Sequence, residues 1–492
     1  MRQIKIDPIT RLEGHGKIDI FLDDDGEVAN CYLQIPELRG FEKFAQGRPV
    51  EELPRITPRI CGVCPEAHHM ASAKACDAVY NVQIPPAGKK LRELLYNTFF
   101  TADHTVHFYA LGGPDFVVGP DAPAAERNIL GVIQKVGLEI GGKVITLRAK
   151  CQEIIQMLGG KKIHQVSAIP GGVSRGINEE ERKLIEESAK YLIEFGQFSF
   201  KLFEDVVLKN KAYVDLILSD AYTQRVYYMG LVDENNKVNF YDGKVRVVDP
   251  DGNEFCKYEP KDYLKHVAEH TEKWSYLKYP YLKNVGWKGL VDGKDSGVFC
   301  ATPQSRLNVS DGMATPLAQA EYEKYYETLT GDKTGKTPVH HTLATHWARL
   351  IELQYAAERV MELITDPEIT STEYRVLPTE APSEGVGIVE APRGTLTHHY
   401  ITDEKGIVKK ANLIVGTTNN HAPISMSIKK AAEGLIHKDV EVTDGILNMI
   451  EMAFRSYDPC FGCATHSLPG QLPLIVKIRD SEGEVIQEIK RG

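Results

Sequence analysis

Apolar and polar positions alternate early in the chain. Ile18, Ile20 and Leu22 lead up to Asp24-Asp25-Gly26, and an extended pattern resumes from Val28 to Ile35. A period of two interrupted by a glycine-bearing turn predicts a hairpin. From Pro65 to Val79 the chain changes to good helix formers, with Ala67, Met70, Ala71, Ala73 and Ala75, and a helix is expected to open directly after Cys64. Long helical stretches are expected over 89–110, 122–158 and 179–208, with a tight turn at Ile169-Pro170-Gly171-Gly172-Val173 between them. The segment 238–248 reads as a second hairpin with Asp242-Gly243 as its turn, opening a less regular region up to Ser310. Helices resume at 317–329 and 342–364. Extended segments follow Pro382, interrupted by the polar clusters Glu390-Ala391-Pro392-Arg393-Gly394 and Gly416-Thr417-Thr418-Asn419-Asn420-His421. A helix at 442–456 and a hairpin at 472–489 close the chain. The expectation is an α+β fold, predominantly helical, with a large helical bundle and smaller mixed α/β parts.

Composition narrows the class. In 492 residues, 42% hydrophobic and 26% charged, there is enough apolar surface for a sizeable core. A formal net charge of -10 disfavours nucleic acid or an anionic membrane surface as the main partner. The apolar runs fall short of the roughly 18 residues a membrane span needs. The segment Met1 to Asp7 lacks the apolar centre of a secretory signal.

Cysteine usage changes the picture most. Nine cysteines in so long a chain do not suggest a disulfide framework, but four of them form two Cys-x-x-Cys pairs, Cys61/Cys64 and Cys460/Cys463. Two intervening residues let both sulfurs of a pair face one ion, and four sulfurs make a soft site suited to zinc, iron or nickel. Closing a loop of this length rather than a zinc-ribbon loop adds only about 2.7 kcal/mol of entropy, so entropy does not decide against a structural zinc clip. Need argues against one, because metal staples serve domains too small to build a core. The first pair sits at a helix entrance, where backbone N–H groups favour thiolate. No linker rich in Gly, Ser or Pro separates the pairs, so 1–466 is expected to be one interwoven domain tied at both ends.

Taken together, Arg11-Leu12-Glu13-Gly14-His15, Arg39-Gly40-Phe41-Glu42, Arg59-Ile60-Cys61-Gly62-Val63-Cys64 with His68, Ala391-Pro392-Arg393-Gly394, and Asp458-Pro459-Cys460 through Cys463 to His466 resemble the large, catalytic subunit of nickel-iron hydrogenases from end to end. The resemblance implies heterolytic splitting of H2, with the proton leaving to a cysteine sulfur or a guanidinium. It implies that Cys61 and Cys460 are terminal nickel ligands, and that Cys64 and Cys463 bridge to an iron carrying carbon monoxide and cyanide. By the same resemblance Arg393 lies over the open metal position, held by Asp115 and Asp458, and Glu13 relays the proton outward from Cys463. Thr417 is the hydroxyl that meets a cyanide, with His68 and Pro392 also lining the cofactor. Glu42, His466 and the carbonyl of Leu413 are ligands of a magnesium ion. One departure stands out: Gly416 occupies a position where a proline often precedes the hydroxyl residue.

Further expectations follow from the resemblance. The partners are a small subunit carrying iron-sulfur clusters, together with further electron-transfer subunits of diaphorase, deazaflavin or heterodisulfide reductase type. A maturation protease is expected to remove 467–492, and the location to be cytoplasmic. A hydrogen sensor carries the same residues and differs in turnover and partner. The quinone-site subunit of respiratory complex I resembles the same fold without the cysteine pairs, all four of which are present here.

Overall fold

The computed structural model describes residues 2–465, 474–479 and 485–491. Three long helices form its centre. Pro86–Val106 and Glu179–Phe203 both pack on Thr345–Thr365, whose side chains are buried along nearly its whole length. A helix buried on all sides belongs inside a large core. The helix Pro65–Val79, also buried all round, is clamped between this bundle and an antiparallel sheet of Glu384–Ala391, Gly394–Thr402 and Val408–Ile414.

That clamp depends on two glycines. A side chain at Gly387 would place its Cβ 2.2 Å from the Ala71 carbonyl oxygen, and one at Gly385 2.3 Å from that of Ala75. Gly387→Ala is therefore expected to destabilise the chain by about 3 kcal/mol through overpacking against rigid backbone, measured as a lowered denaturant midpoint. An unchanged midpoint would mean that the helix and the sheet slide apart freely.

A second core joins the ends of the chain. Arg2–Ile6, Lys17–Leu22 and Val28–Gln34 form an antiparallel sheet, one strand more than the expected hairpin. Its inner residues Ile6, Ile18, Ile20 and Leu33 share an apolar cluster with Ile424 and Ile428 of the helix His421–Leu435, and with Phe454 and Phe461 beside the second cysteine pair. The first strand and the last helix therefore meet.

Three expectations are corrected. The stretch 122–158 is two helices, Ile129–Val136 and Leu138–Gly159, because Asn128 caps the first and Gly137, at φ +94°, ends it. Glu179–Phe203 runs on into a wider π turn at Glu204–Leu208. The segment 238–248 is no hairpin: Lys244–Val248 pairs instead with Tyr227–Val232 and Glu254–Tyr258. Phe240 leaves the sheet to stack on Phe100 with ring centroids 3.8 Å apart, and burial of two aromatic rings outweighs the Asp-Gly turn preference. The helix expected over 442–456 spans Asp444–Arg455, capped by Thr443. The tail pairs Leu474–Arg479 with Val485–Arg491; the expected turn between them lies outside the described residues. Among the described residues, no helix is long and apolar enough to cross a membrane.

Candidate metal centre

Cys64 caps the helix Pro65–Val79, and Cys460 caps the short helix Phe461–Ala464. The two loops face each other. Cys61 Sγ lies 3.4 Å from Cys460 Sγ, Cys64 Sγ lies 3.5 Å from Cys463 Sγ, and all four sulfurs are within 4.8 Å of one another and buried. Arg39 clamps the loops from outside. Its guanidinium donates to the carbonyls of Ile60 and, at 3.1 Å, Gly462, each next to a cysteine, and its own N–H donates to the Thr465 carbonyl at 2.8 Å.

The N-terminal segment supplies the remaining wall. Glu13 forms a bridge with Cys460, accepting from the Phe461 N–H through its carbonyl at 3.0 Å, while its carboxylate Oε2 accepts from the Gly462 N–H at 2.9 Å and from Cys460 Sγ at 3.0 Å. Gly14 and Gly462 allow this approach: a Cβ on Gly14 would lie 2.8 Å from the Gly462 nitrogen, and one on Gly462 2.6 Å from Glu13 Oε1. The expected partner of Glu13 is Cys463, whereas the sulfur its carboxylate meets is that of Cys460. The reason is the bridge, which sets Glu13 directly opposite Cys460.

Arg393 enters from the tip of a two-residue hairpin turn, between the paired residues Ala391 and Gly394. Asn420 Nδ2 donates to the Arg393 carbonyl at 2.7 Å, and Arg306 donates to the carbonyls of Ala391 and Pro392 at 2.9 and 3.2 Å. Arg306 is itself held by Glu352 and Glu390. The Gly416 departure has a cause here: a Cβ on Gly416 would sit 2.9 Å from the Gly394 carbonyl oxygen. Thr417 Oγ1, one residue on, accepts from the Cys460 N–H at 3.0 Å.

The carboxylates that hold Arg393 differ in part from those expected. Arg393 Nη1 lies 3.1 Å from Asp103 and Nη2 2.8 Å from Asp458. Asp115 instead accepts from Arg11 at 2.5 Å, Asn448 at 3.1 Å and Arg455 at 3.1 Å, in a separate buried cluster. Asp115 stands about three and a third turns after Asp103 at 3.6 residues per turn, so the two leave the helical axis in different directions, and the π turn His107–Gly112 between them shifts the face again. Asp115→Ala is accordingly expected to cost about 3–5 kcal/mol of stability by stranding buried guanidinium charge, with metal content unaltered in the folded fraction. Normal thermal stability together with a lost metal centre would return Asp115 to the site.

Asp103 belongs to none of the motifs that mark the site in the sequence, although Asp103, His104 and His107 grouped within one helical turn are a usable signal. Asp458 has φ +52°, the left-handed region, immediately before Pro459, a strained backbone of the kind that tertiary contacts must hold. His107 Nδ1 lies 3.0 Å from its other oxygen.

Electrostatics separate these groups. Burial works against the charge of Arg393, but Asp103 and Asp458 outweigh it and keep the guanidinium protonated. Burial alone would raise Asp458; Arg393 and His107 overturn that and hold it well below the carboxylate range. Asp103 is pushed up to about 6 by burial, against the pull of Arg393. Burial and the charge of Cys61 raise Glu13, against its bonds from Cys460 and Gly462.

The sulfurs test whether a metal fits. Despite burial, Cys61 falls well below the thiol range because the other sulfurs and the Cys64 N–H donate to it. Cys64 is pushed up to about 11, and Cys460 and Cys463 are raised. The other three sulfurs, with the amides at the helix entrance, thus favour Cys61 as the thiolate, rather than Cys64. For all four sulfurs to ionise this close and this dry requires a cation among them, and a soft one. His68, within the same helix, has a buried Nε2 with no hydrogen-bond partner among the described residues.

The magnesium candidates are partly in view. Glu42 Oε1 accepts from the Leu413 N–H at 2.8 Å; Lys278 Nζ lies 3.6 Å from Glu42 and 3.2 Å from Glu269. His466 lies outside the described residues. A buried carboxylate and a half-buried one against one ammonium leave negative charge that a hard divalent cation suits.

Comparison with known proteins agrees with this arrangement. The sequence profile described as Nickel-dependent hydrogenase matches residues 39–131 and 143–466, and a HoxL-like profile matches 3–38. The chain is 51% identical, over the full length of both proteins, to an iron-sulfur subunit of the F420-non-reducing hydrogenase of Archaeoglobus profundus. It is 38% identical, again over both full lengths, to the beta subunit of the NAD-reducing hydrogenase HoxS of Cupriavidus necator. Its structure resembles that of an NAD+-reducing [NiFe]-hydrogenase in the H2-reduced state, with a TM-score of 0.85 at 36% identity, covering 95% of this chain and 100% of the other. An Ni-Fe-Se hydrogenase of D. vulgaris Hildenborough, 22% identical with a TM-score of 0.75 over 94% and 100% of the two chains, shares the fold. With a buried four-cysteine site, matching sequence over its length and a matching fold, the chain belongs to the nickel-dependent hydrogenase family, as the large, catalytic subunit of a nickel-iron enzyme that acts on H2.

Proposed function

We propose that this protein moves the proton of H2 oxidation from Cys460 Sγ to Glu13 Oε2, and that the four cysteines divide the centre between them. Cys61 and Cys460 would be terminal on nickel, and Cys64 and Cys463 would bridge to an iron bearing carbon monoxide and cyanide. When bound, the centre supplies heterolytic cleavage of hydrogen. The observation that carries the reading is the 3.0 Å contact between Glu13 and Cys460 inside the four-sulfur group. A carboxylate that burial raises above its ordinary range holds a proton more readily and is suited both to take and to release one. Arg393, kept charged between Asp103 and Asp458, orients by its fixed guanidinium rather than by giving up a proton. The Thr417 hydroxyl accepts from the Cys460 N–H and keeps its own hydrogen to donate to a cyanide. His68 and Pro392 would line the same ligand. Glu42, the Leu413 carbonyl and His466 would hold magnesium.

Electrons leave through other subunits. Among the described residues the only metal-binding cluster is the four-cysteine group, and Cys31, Cys76, Cys151, Cys256 and Cys300 stand apart from it. An iron-sulfur small subunit would therefore take the electrons, passing them to further subunits of diaphorase, deazaflavin or heterodisulfide reductase type, in the cytoplasm. Residues 1–466 would form one catalytic unit, with 467–492 removed by a maturation protease. The test is an infrared spectrum, with intact mass, of purified nickel-loaded protein. Carbon monoxide and cyanide bands with a chain ending at His466 are expected. Bound zinc without such bands would sink the centre, and a loaded, active chain still reaching Gly492 would sink the processing. Turnover too slow for an enzyme would favour the sensor.

A further inference from the structure

The turn that carries Arg393 is held by a circuit of contacts that closes behind it. Arg306, in the helix Pro303–Asn308, is fully buried, and all five of its N–H groups have partners. Nε donates to Glu352 Oε1 at 2.5 Å. Nη1 donates to Glu390 Oε2 at 3.0 Å and to the Ala391 carbonyl at 2.9 Å, and Nη2 donates to Glu352 Oε2 at 2.6 Å and to the Pro392 carbonyl at 3.2 Å. With the bond from Asn420 to the Arg393 carbonyl, three successive carbonyls of the turn are held.

Glu352, on the helix Thr345–Thr365, carries the hold further. Its Oε2 lies 2.8 Å from His104 Nε2; burial pushes His104 down to about 4, so its imidazole is neutral near pH 7 and donates through Nε2–H. His104 follows Asp103 in the helix Pro86–Val106, and Asp103 meets Arg393 Nη1 at 3.1 Å. The circuit is thereby closed, running from Asp103 to Arg393, through the turn to Arg306, on to Glu352 and His104, and back along one peptide bond. Glu390 keeps Arg306 from tilting, because its other oxygen is fixed by the Leu231 N–H at 2.7 Å and the Thr395 hydroxyl at 2.9 Å. Three helices and the turn share these bonds, so Arg393 and the carboxylate it faces do not move independently.

We propose that Arg306 is a positioning residue which, with Glu352 and His104 behind it, fixes how the Arg393 guanidinium meets Asp103. A planar fork is needed for this, since an ammonium carries its three donors on one atom and does not span two carbonyls and two carboxylates. This deepens the reading above: that Arg393 faces the nickel-iron centre rests on it, whereas the hold on the turn does not.

The test is nitrogen NMR of the full-length, metal-free chain with labelled arginine, the Arg393 signals being assigned by their loss in Arg393→Lys. In the parent protein the Arg393 guanidinium hydrogens are expected to exchange slowly with water. Arg306→Lys should speed that exchange roughly fivefold or more, the weight of one buried hydrogen bond. His104→Ala opens the circuit without touching the turn and should act in the same direction, while His104→Gln, whose amide again donates to Glu352, should restore the parent rate. The His104 pair decides the matter where Arg306→Lys does not fold. A rate unmoved by opening the circuit, or a glutamine no better than alanine, overturns the proposal; a network that merely stabilises the core would lower the denaturant midpoint and leave the exchange unchanged. In the nickel-loaded complex, Arg306→Lys should also displace the infrared bands of the iron ligands, with turnover down by about 10²-fold, the cost of a group misplaced by roughly 1 Å. Unmoved bands and turnover beside a freed Arg393 would overturn its placement at the centre. A parent without such bands would sink that placement and the proposed centre together, while the NMR result stands on its own.

Discussion

Cys460→Ser is expected to reduce hydrogen uptake to background and to lower the nickel content of the purified protein. A serine hydroxyl does not ionise in the range where a thiol does, and its oxygen is too hard to stand in for the terminal nickel thiolate proposed at this position. The position is demanding for a second reason: the Cys460 backbone is held by Thr417 through its N–H, and its sulfur meets both Cys61 and Glu13. Cys61→Ser should act alike, since the N–H groups of Val63 and Cys64 both converge on its sulfur at 3.2 Å. Elemental analysis and hydrogen-dependent dye reduction check the pair, and full uptake in either variant would remove these cysteines from the nickel.

Glu13→Gln should separate assembly from proton exit. An amide is nearly isosteric and keeps an oxygen that can accept from the Gly462 N–H, so the wall and the metal site should form and the infrared bands persist. An amide carries no transferable proton at neutral pH. The exchange of deuterium gas with water is expected to fall by about 10²–10⁴-fold, the usual worth of one placed acid-base group. Near-normal exchange would show that the proton leaves by another route. Because Glu13 touches Cys460, the loss should accompany changes at that sulfur rather than at Cys463.

Much of this was legible from the chain alone, and the reasons are local. A Cys-x-x-Cys pair brings its own two sulfurs together by turn geometry, and the run after Cys64 has to be helical by composition. The short, punctuated motifs around Glu13, Arg39, Arg393 and Asp458 likewise marked the segments that converge. The chain also announced its long helices, which need only a period near 3.6. Where a single glycine or asparagine overrides that period, as at Asn128 and Gly137, the boundary moved.

The tertiary structure decided which side chain faces which. Asp103 and Asp115 are the same residue type on the same helical run, yet only packing and the intervening π turn send the former to Arg393 and the latter to Arg11 and Arg455. Glu13 meets Cys460 because backbone pairing between distant segments sets the register, and no spacing within either segment encodes it. Phe240 abandoned a strong turn signal because a stacking partner, Phe100, waited in a helix far away in sequence. The residue types and local conformations were determined by the sequence, since they follow from neighbours along the chain. The facing of carboxylate to guanidinium, and of base to sulfur, followed only from burial, because the cost of an unpaired buried charge is settled by whatever the folded core brings within reach.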